Sequence, residues 1–251
     1  MNKHSIGIVG GVGPYAGLEL QKAILRHTPA NRDQDYLPVI SISAPHEIAD
    51  RTDFILGITA VNPAYEIIDQ IKTLYAAGAR YIGIPCNTAH ADTIFPVIRD
   101  GVSELNDIHL VNMIDEMFYS IKDKKPASCI TGVLATKGSY KSRLFETYGT
   151  RHQFEVVIPD DEQLRDEVHR SIYNESYGIK VLGYLHRSTR ENIDRVFQYF
   201  KRKNINTVIL GCTELSVVFT EEEYKNVSLI DPIDALARKL VSLYKSGIIE
   251  K

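Results

Sequence analysis

Apolar residues in this chain alternate between two rhythms: short β-branched runs, and longer stretches where they recur at helical spacing. Ser5-Ile6-Gly7-Ile8-Val9 reads as a buried parallel strand. Gly10-Gly11-Val12-Gly13-Pro14 reads as a tight turn, and Tyr15 to His27 as a helix carried by Leu18, Leu20, Ile24 and Leu25. Leu37 to Ser43 is a second strand, completing the order of a parallel βαβ unit. Ile48 to Ile58 reads as a loop bearing Asp50, Arg51 and Asp53. Asn62 to Gly78 reads as an amphipathic helix with Ile67, Ile68, Ile71, Leu74 and Tyr75 on one side and Gly78 as its C-cap. A third run, Arg80 to Ile84, leads into Pro85-Cys86-Asn87-Thr88-Ala89-His90, and a helix is predicted over Thr88 to Arg99. His109 to Asp115 is a further strand, followed by a helix to Lys122.

The segment Lys122-Asp123-Lys124-Lys125-Pro126 is charged and ends in proline, the pattern of a linker, and after it the plan repeats. Ser128 to Ala135 is a strand, Thr136-Lys137-Gly138-Ser139 a turn, and a helix runs through Leu144 and Tyr148. Phe154 to Ile158 is a strand, Asp161 to Tyr173 a helix, Tyr177 to Lys180 a loop, and Ser188 to Lys203 a helix. Asn206 to Leu210 is a strand that reaches Gly211-Cys212-Thr213-Glu214-Leu215. Thr220-Glu221-Glu222-Glu223 has capping-box spacing. Val227 to Asp231 echoes Val111 to Asp115, and Pro232 to Ser246 is an amphipathic helix expected to return to the first half. The pattern predicts an α/β protein of two similar units, each a mainly parallel sheet flanked by helices. The first is placed at residues 1–113, completed by the C-terminal helix 229–251, and the second at 114–228.

Composition narrows the function classes. The 251 residues are 44% apolar and 24% charged, ordinary for a soluble protein. A net charge of −3 gives no reason to expect nucleic acid or an acidic membrane as partner. No apolar run reaches the length of a membrane span, and Met1-Asn2-Lys3-His4-Ser5 lacks the features of a signal peptide. Three cysteines make a disulfide framework improbable, so a cytoplasmic location is expected. There is no CxxC or HExxH, so no metal site is expected.

Two of those cysteines share a context. Cys86 and Cys212 each close a β-branched run and precede residues suited to starting a helix. In open α/β sheets ligands bind where strands end and helices begin. A helix N-terminus there is expected to favour the thiolate, and backbone amides of the turn can hold a carboxylate. One thiol implies a nucleophile or base. Two, facing across a cleft, allow one to take a proton from a carbon while the other returns one to the opposite face. Cys129, mid-strand without a following cap, is assigned to the core.

The three motifs Gly10-Gly11-Val12-Gly13-Pro14, Pro85-Cys86-Asn87-Thr88-Ala89-His90 and Gly211-Cys212-Thr213-Glu214-Leu215 together resemble the aspartate/glutamate racemase family, the aspartate-racemase branch more closely. The resemblance spans the chain. It implies two pseudo-symmetric α/β domains with the active site between them, no cofactor, an amino acid as substrate, and a homodimer. It implies that Cys86 and Cys212 are the catalytic pair, that Asn87, Thr88 and Thr213 hold the α-carboxylate and amino group, and that Arg51 binds a side-chain carboxylate. Lys180 resembles a basic residue near the same ligand, and Val12, Thr136 and Glu214 join the substrate-binding candidates. Val12 stands where the family usually has Met, and Glu214 where the glutamate-racemase branch has His, which argues against a cell-wall glutamate racemase. Aspartate is the expected substrate, with glutamate second.

Other readings compete. A related cysteine isomerase or racemase of another substrate (a hydantoin, maleate or a broad range of amino acids) is one; some relatives in the family lack one cysteine and act as isomerases or decarboxylases, and this chain keeps both, which favours racemisation. A binding protein for an acidic amino acid would keep the two lobes but has no need of the thiols. Gly11-x-Gly13-x-x-x-Gly17 resembles a dinucleotide turn, but the nearest acids, Asp33 and Asp35, precede the second strand rather than close it. His90, on the first turn after Cys86, is read either as a hydrogen-bonding residue of the site or as a packing residue on a helix face, His169 and Glu214 are open in the same way, and Asp115 and Asp231 are read as helix caps.

Overall fold

The computed structural model describes residues 4–125, 129–219 and 227–249. The first half runs β1 (Ser5–Val9), α1 (Pro14–Arg26), β2 (Val39–Ile42), α2 (Arg51–Leu56), α3 (Ala64–Ala76), β3 (Ala79–Gly83), α4 (Phe95–Gly101), β4 (His109–Leu110) and α5 (Met113–Lys124). The second runs β5 (Thr131–Ala135), α6 (Lys137–Lys141), α7 (Leu144–His152), β6 (Val156–Val157), α8 (Glu162–Tyr173), α9 (Ile179–Leu182), α10 (Arg187–Arg202), β7 (Thr207–Gly211), α11 (Thr213–Val218), β8 (Ser228–Ile230) and α12 (Pro232–Ile249).

The strands form two four-stranded sheets, ordered β2-β1-β3-β4 and β6-β5-β7-β8, and every pairing is parallel. Counted within each half, the order is the same, so the two halves share one topology. β1, β5 and β7 are buried at every residue, which is why they read as unbroken apolar runs. In each sheet the strand order reverses between the two central strands, β1 and β3 in one and β5 and β7 in the other. Crevices that bind ligands open at the carboxyl ends of such strands.

Side-chain caps fix where several helices begin. Asp50 accepts from the amides of Thr52 and Asp53, so α2 starts at Arg51 where a loop was expected. Asn112 caps α5 by accepting from Ile114 and Asp115. The predicted strand to Asp115 therefore shrinks to His109–Leu110, and Asp115 lies inside the helix, paired with His152 at 2.8 Å. Asp231 does cap, accepting from the Ile233 amide at 2.8 Å. Of the four apolar residues that gave α1 its helical spacing, Leu20 and Ile24 are buried, together with Ala16 and Ala23, while Leu18 and Leu25 are exposed. The predicted strands around β5 and β6 are shorter than expected, and Cys129 lies before β5, half-buried rather than in the core. The capping-box stretch 220–223, Pro126 and Ser128 lie outside the described residues.

α12 packs on α1, α5 and β3. The halves also meet through side chains. Thr52 and Thr136 hydroxyls lie 3.4 Å apart, Thr88 and Ser139 3.0 Å, and the Tyr173 hydroxyl donates to Asp50 at 3.1 Å. Gly138 permits the approach: a Cβ there would stand 2.9 Å from the Thr52 Cα.

Candidate active site

The two crevices face this seam. β3 ends at Gly83, and Ile84-Pro85 carry the chain to Cys86, which is extended (φ −150°) and 7% exposed. The predicted helix from Thr88 does not follow. Asn87–His90 form a 3-10 turn, Ala91 is extended, and α4 starts only at Phe95, with Pro96 in its first turn. β7 ends at Gly211, and Cys212, also extended (φ −135°) and 8% exposed, is followed directly by the short helix α11. The turns after β1 and β5 complete the two crevices with Val12 and Thr136. Site residues in the two halves thus stand at matching places in matching sheets.

Around Cys86 the site is cationic. Arg51, at the start of α2, is 7% exposed. Its guanidinium donates to the Val12 carbonyl and, at 3.3 Å, to the Ala49 carbonyl. Burial works against its charge, but the neighbouring Cys86 and Asp50 outweigh that, and its pKa lies above the ordinary value. Val12 therefore serves through its carbonyl, holding Arg51. His90 is fully buried beneath the same turn. It sits between the Cys86 carbonyl, 2.9 Å from Nδ1, and the Met113 amide, which donates to Nε2 at 3.2 Å. That pairing requires a neutral ring with its proton on Nδ1. Burial agrees, holding its pKa down at about 4.

Around Cys212 the arrangement differs. Its Sγ–H donates to Glu214 Oε2 at 2.9 Å, and Lys180 Nζ donates to Glu214 Oε1 at 2.8 Å. Burial, then the Glu214 charge, pushes the Cys212 thiol well above its ordinary range, contrary to the expectation that a helix N-terminus would lower it. Glu214 resists its own burial because Lys180 and the thiol stabilise its carboxylate, and its pKa falls to about 2. Lys180, expected in a loop, lies in the single turn α9, with Nζ 5.0 Å from the centre of the Tyr173 ring.

Asn87 and Thr88 are 2% and 6% exposed, and Thr213 is 3% exposed. Both amide atoms of Asn87 and the Nε of Arg51 are buried without a hydrogen-bond partner. Leaving such groups unpaired costs on the order of 1–3 kcal/mol each, a cost that polar atoms of a ligand reaching them would offset. The Thr136 hydroxyl, in the turn after β5, caps α6 through the Ser139 amide at 3.4 Å and meets Thr52. It holds the seam.

Sequence reading missed Tyr173, whose hydroxyl reaches both Asp50 and Thr52 while its ring underlies Lys180. It also missed Ser139. Both sit at helical positions indistinguishable from ordinary core or turn residues until the halves are brought together. Among the described residues no cluster of three or more His, Cys, Asp or Glu is placed to hold a metal ion. None of the described helices is long and apolar enough to cross a membrane.

The family model described as Asp/Glu/Hydantoin racemase matches residues 9–240. The aspartate racemase of Picrophilus torridus superposes with a TM-score of 0.80 at 28% identity, over 96% of this chain and 94% of that one. The broad specificity amino-acid racemase RacX of Bacillus subtilis is 22% identical over 244 residues, 95% of this chain and 97% of that protein. A glutamate racemase from Carboxydothermus hydrogenoformans is 23% identical over 184 residues, 70% of this chain, and the match spans 61% of that protein's length.

Proposed function

The chain belongs to the Asp/Glu/Hydantoin racemase family, and from that membership we propose that it is a cofactor-independent racemase of an acidic amino acid, aspartate first, working with Cys86 and Cys212 as its two acid–base groups. One observation carries the reading. Two buried thiols stand at equivalent strand ends of two sheets with one topology.

The chemistry follows from that placement. A thiolate takes the α-proton, the Cα–H electron pair passes into the α-carboxylate, and the second thiol gives its proton to the opposite face of the planar carbon. Charge builds on the carboxylate as the proton leaves, so donors must be aimed there before reaction. The unpartnered Asn87 amide, the Thr88 and Thr213 side chains and the backbone amides of the two cysteine turns supply them. Arg51, buried and with Nε unpartnered, supports an acidic side chain on the substrate.

The division of the chain at 1–113 with 229–251, and 114–228, belongs to this reading, supported by the packing of α12 on α1 and β3. So do a homodimer and a cytoplasmic location. Chiral chromatography of single amino acids incubated with the protein, without added cofactor, tests the function. Aspartate should equilibrate between enantiomers. Conversion of no amino acid would refute racemisation, and conversion of neutral amino acids at equal rates would move the reading to the broader range.

A further inference from the structure

The two thiols have different charged neighbours, Arg51 beside Cys86 and the Glu214–Lys180 pair beside Cys212. We propose that Glu214 is a positioning residue that keeps the proton on Cys212, so that the resting site holds Cys212 as the acid and Cys86 as the base for one enantiomer, and the other enantiomer reacts through the minor form with the proton moved to Cys86. The consequence for turnover rests on the racemase reading; the proton assignment does not.

The assignment follows from counting protons. Glu214 lies 2 residues past Cys212, its side chain 4% exposed. An ionised carboxylate only accepts hydrogen bonds. One of its oxygens takes a proton from Lys180 Nζ at 2.8 Å, and the other lies 2.9 Å from Cys212 Sγ. A thiolate at that distance would set two anions in contact in a buried site. The proton therefore stays on sulfur. The other charged or titratable groups that act on Cys212 or its helix are Lys180 from α9, Tyr173 from α8, Tyr140 from α6, and Asp231, which accepts from Ser216 of α11 at 2.7 Å. Of these, Lys180 is committed to Glu214. Cys86, by contrast, neighbours Arg51, a group that donates and never accepts, so a thiolate at that position would face a cation.

The glycine of the first turn serves the same arrangement. A Cβ at Gly13 would meet Glu214 Oε1 at 3.1 Å, so the first half closes over the carboxylate. In a cycle, the Cα–H bond breaks toward Cys86 and the Cys212 S–H bond breaks toward the opposite face. The product state holds Cys86 as a thiol and Cys212 as a thiolate beside Glu214. That like-charge contact draws a proton from solvent back to Cys212 while Cys86 releases its own, restoring the starting state.

The test reads the thiols directly. The full chain is labelled with cysteine carrying carbon-13 at Cβ, and the three resonances are assigned with single Cys→Ser variants. Cys212 should remain a thiol across about pH 6 to 9, a range in which a free thiol with a pKa of about 8.5 titrates. In Glu214→Gln its thiol–thiolate midpoint should fall by at least one pH unit, a tenfold rise in the proton concentration at half-ionisation. Adding Lys180→Met to that variant should reverse part of the fall, because it removes the remaining cation. A wild-type Cys212 that ionises at or below the free thiol's midpoint overturns the proposal without any variant. A midpoint unmoved in Glu214→Gln overturns it as well. Neither readout needs turnover, so a chain that racemises nothing fails the chiral assay and still shows which sulfur carries the proton.

Discussion

The turn at Cys86 and the turn at Cys212 occupy the same place in two sheets of the same strand order, yet they are built from different parts. Cys86 enters a 3-10 turn pinned from below by a neutral, fully buried histidine, with an arginine beside it. Cys212 enters a short helix, with a carboxylate on its sulfur and a lysine behind that carboxylate. The fold repeats the position of the thiol; the side chains around each repeat decide what the thiol does. A symmetrical fold therefore holds an unsymmetrical pair of thiol environments.

Removing either sulfur gives the largest expected effect. Cys86→Ala and Cys212→Ala should each lower racemisation by about 10²–10⁴-fold, the usual contribution of one positioned acid–base group. Chiral chromatography measures it, and a variant retaining full rate would break the equivalence of the two turns.

The supports beneath the turns should respond to pH in opposite directions. His90 has its pKa held at about 4 by burial, below its ordinary 6.5. As pH falls, the unfolded chain gains this proton first, so stability is lost from about pH 6.5 down to about pH 4, by roughly 3 kcal/mol. The urea-unfolding free energies of wild type and His90→Asn should therefore draw together by about that amount between pH 7 and pH 4. Asp231, which holds α11 through Ser216, has its pKa raised to about 6, burial being the main cause. Here the folded state keeps a proton that the unfolded chain has lost, so stability declines as pH rises from about 4 to 6. Asp231→Asn keeps an acceptor for Ser216 and the Ile233 amide without the buried charge. It should stabilise the protein at pH 7 by about 2 kcal/mol, and a destabilised variant would contradict the opposed slopes.

The smallest effect concerns the seam. Gly138→Ala places a methyl against the Thr52 backbone and should cost about 1 kcal/mol in unfolding free energy, with a larger loss of activity than of stability. Equal losses in both would mean that the halves meet there for packing alone.

How much of this was legible in the sequence depended on whether the deciding contact was local. β1, β3 and β7, the helices α3, α10 and α12, and the two thiols at strand ends follow from apolar period and turn residues alone. The helix expected at Thr88 failed because Ala91 is extended and Pro96 favours a new helix start. Arg51 read as a loop residue because the Asp50 cap has the same sequence as a solvated Asp-Arg pair. Cys129 read as core because a β-branched run does not reveal where its strand begins. The contacts of Tyr173 with Asp50, and of Lys180 with Glu214, join residues 123 and 34 positions apart, and no local pattern encodes them. The two thiols at strand ends were thus readable, and their electrostatic difference was not.

The most direct measurement follows the α-hydrogen of aspartate in heavy water at early conversion. Two thiols on opposite faces predict that each product molecule carries deuterium at Cα while the unconverted enantiomer keeps its original hydrogen. Product that retains the substrate's own hydrogen, or deuterium appearing equally in both enantiomers from the start, would contradict a site in which one sulfur takes and the other gives.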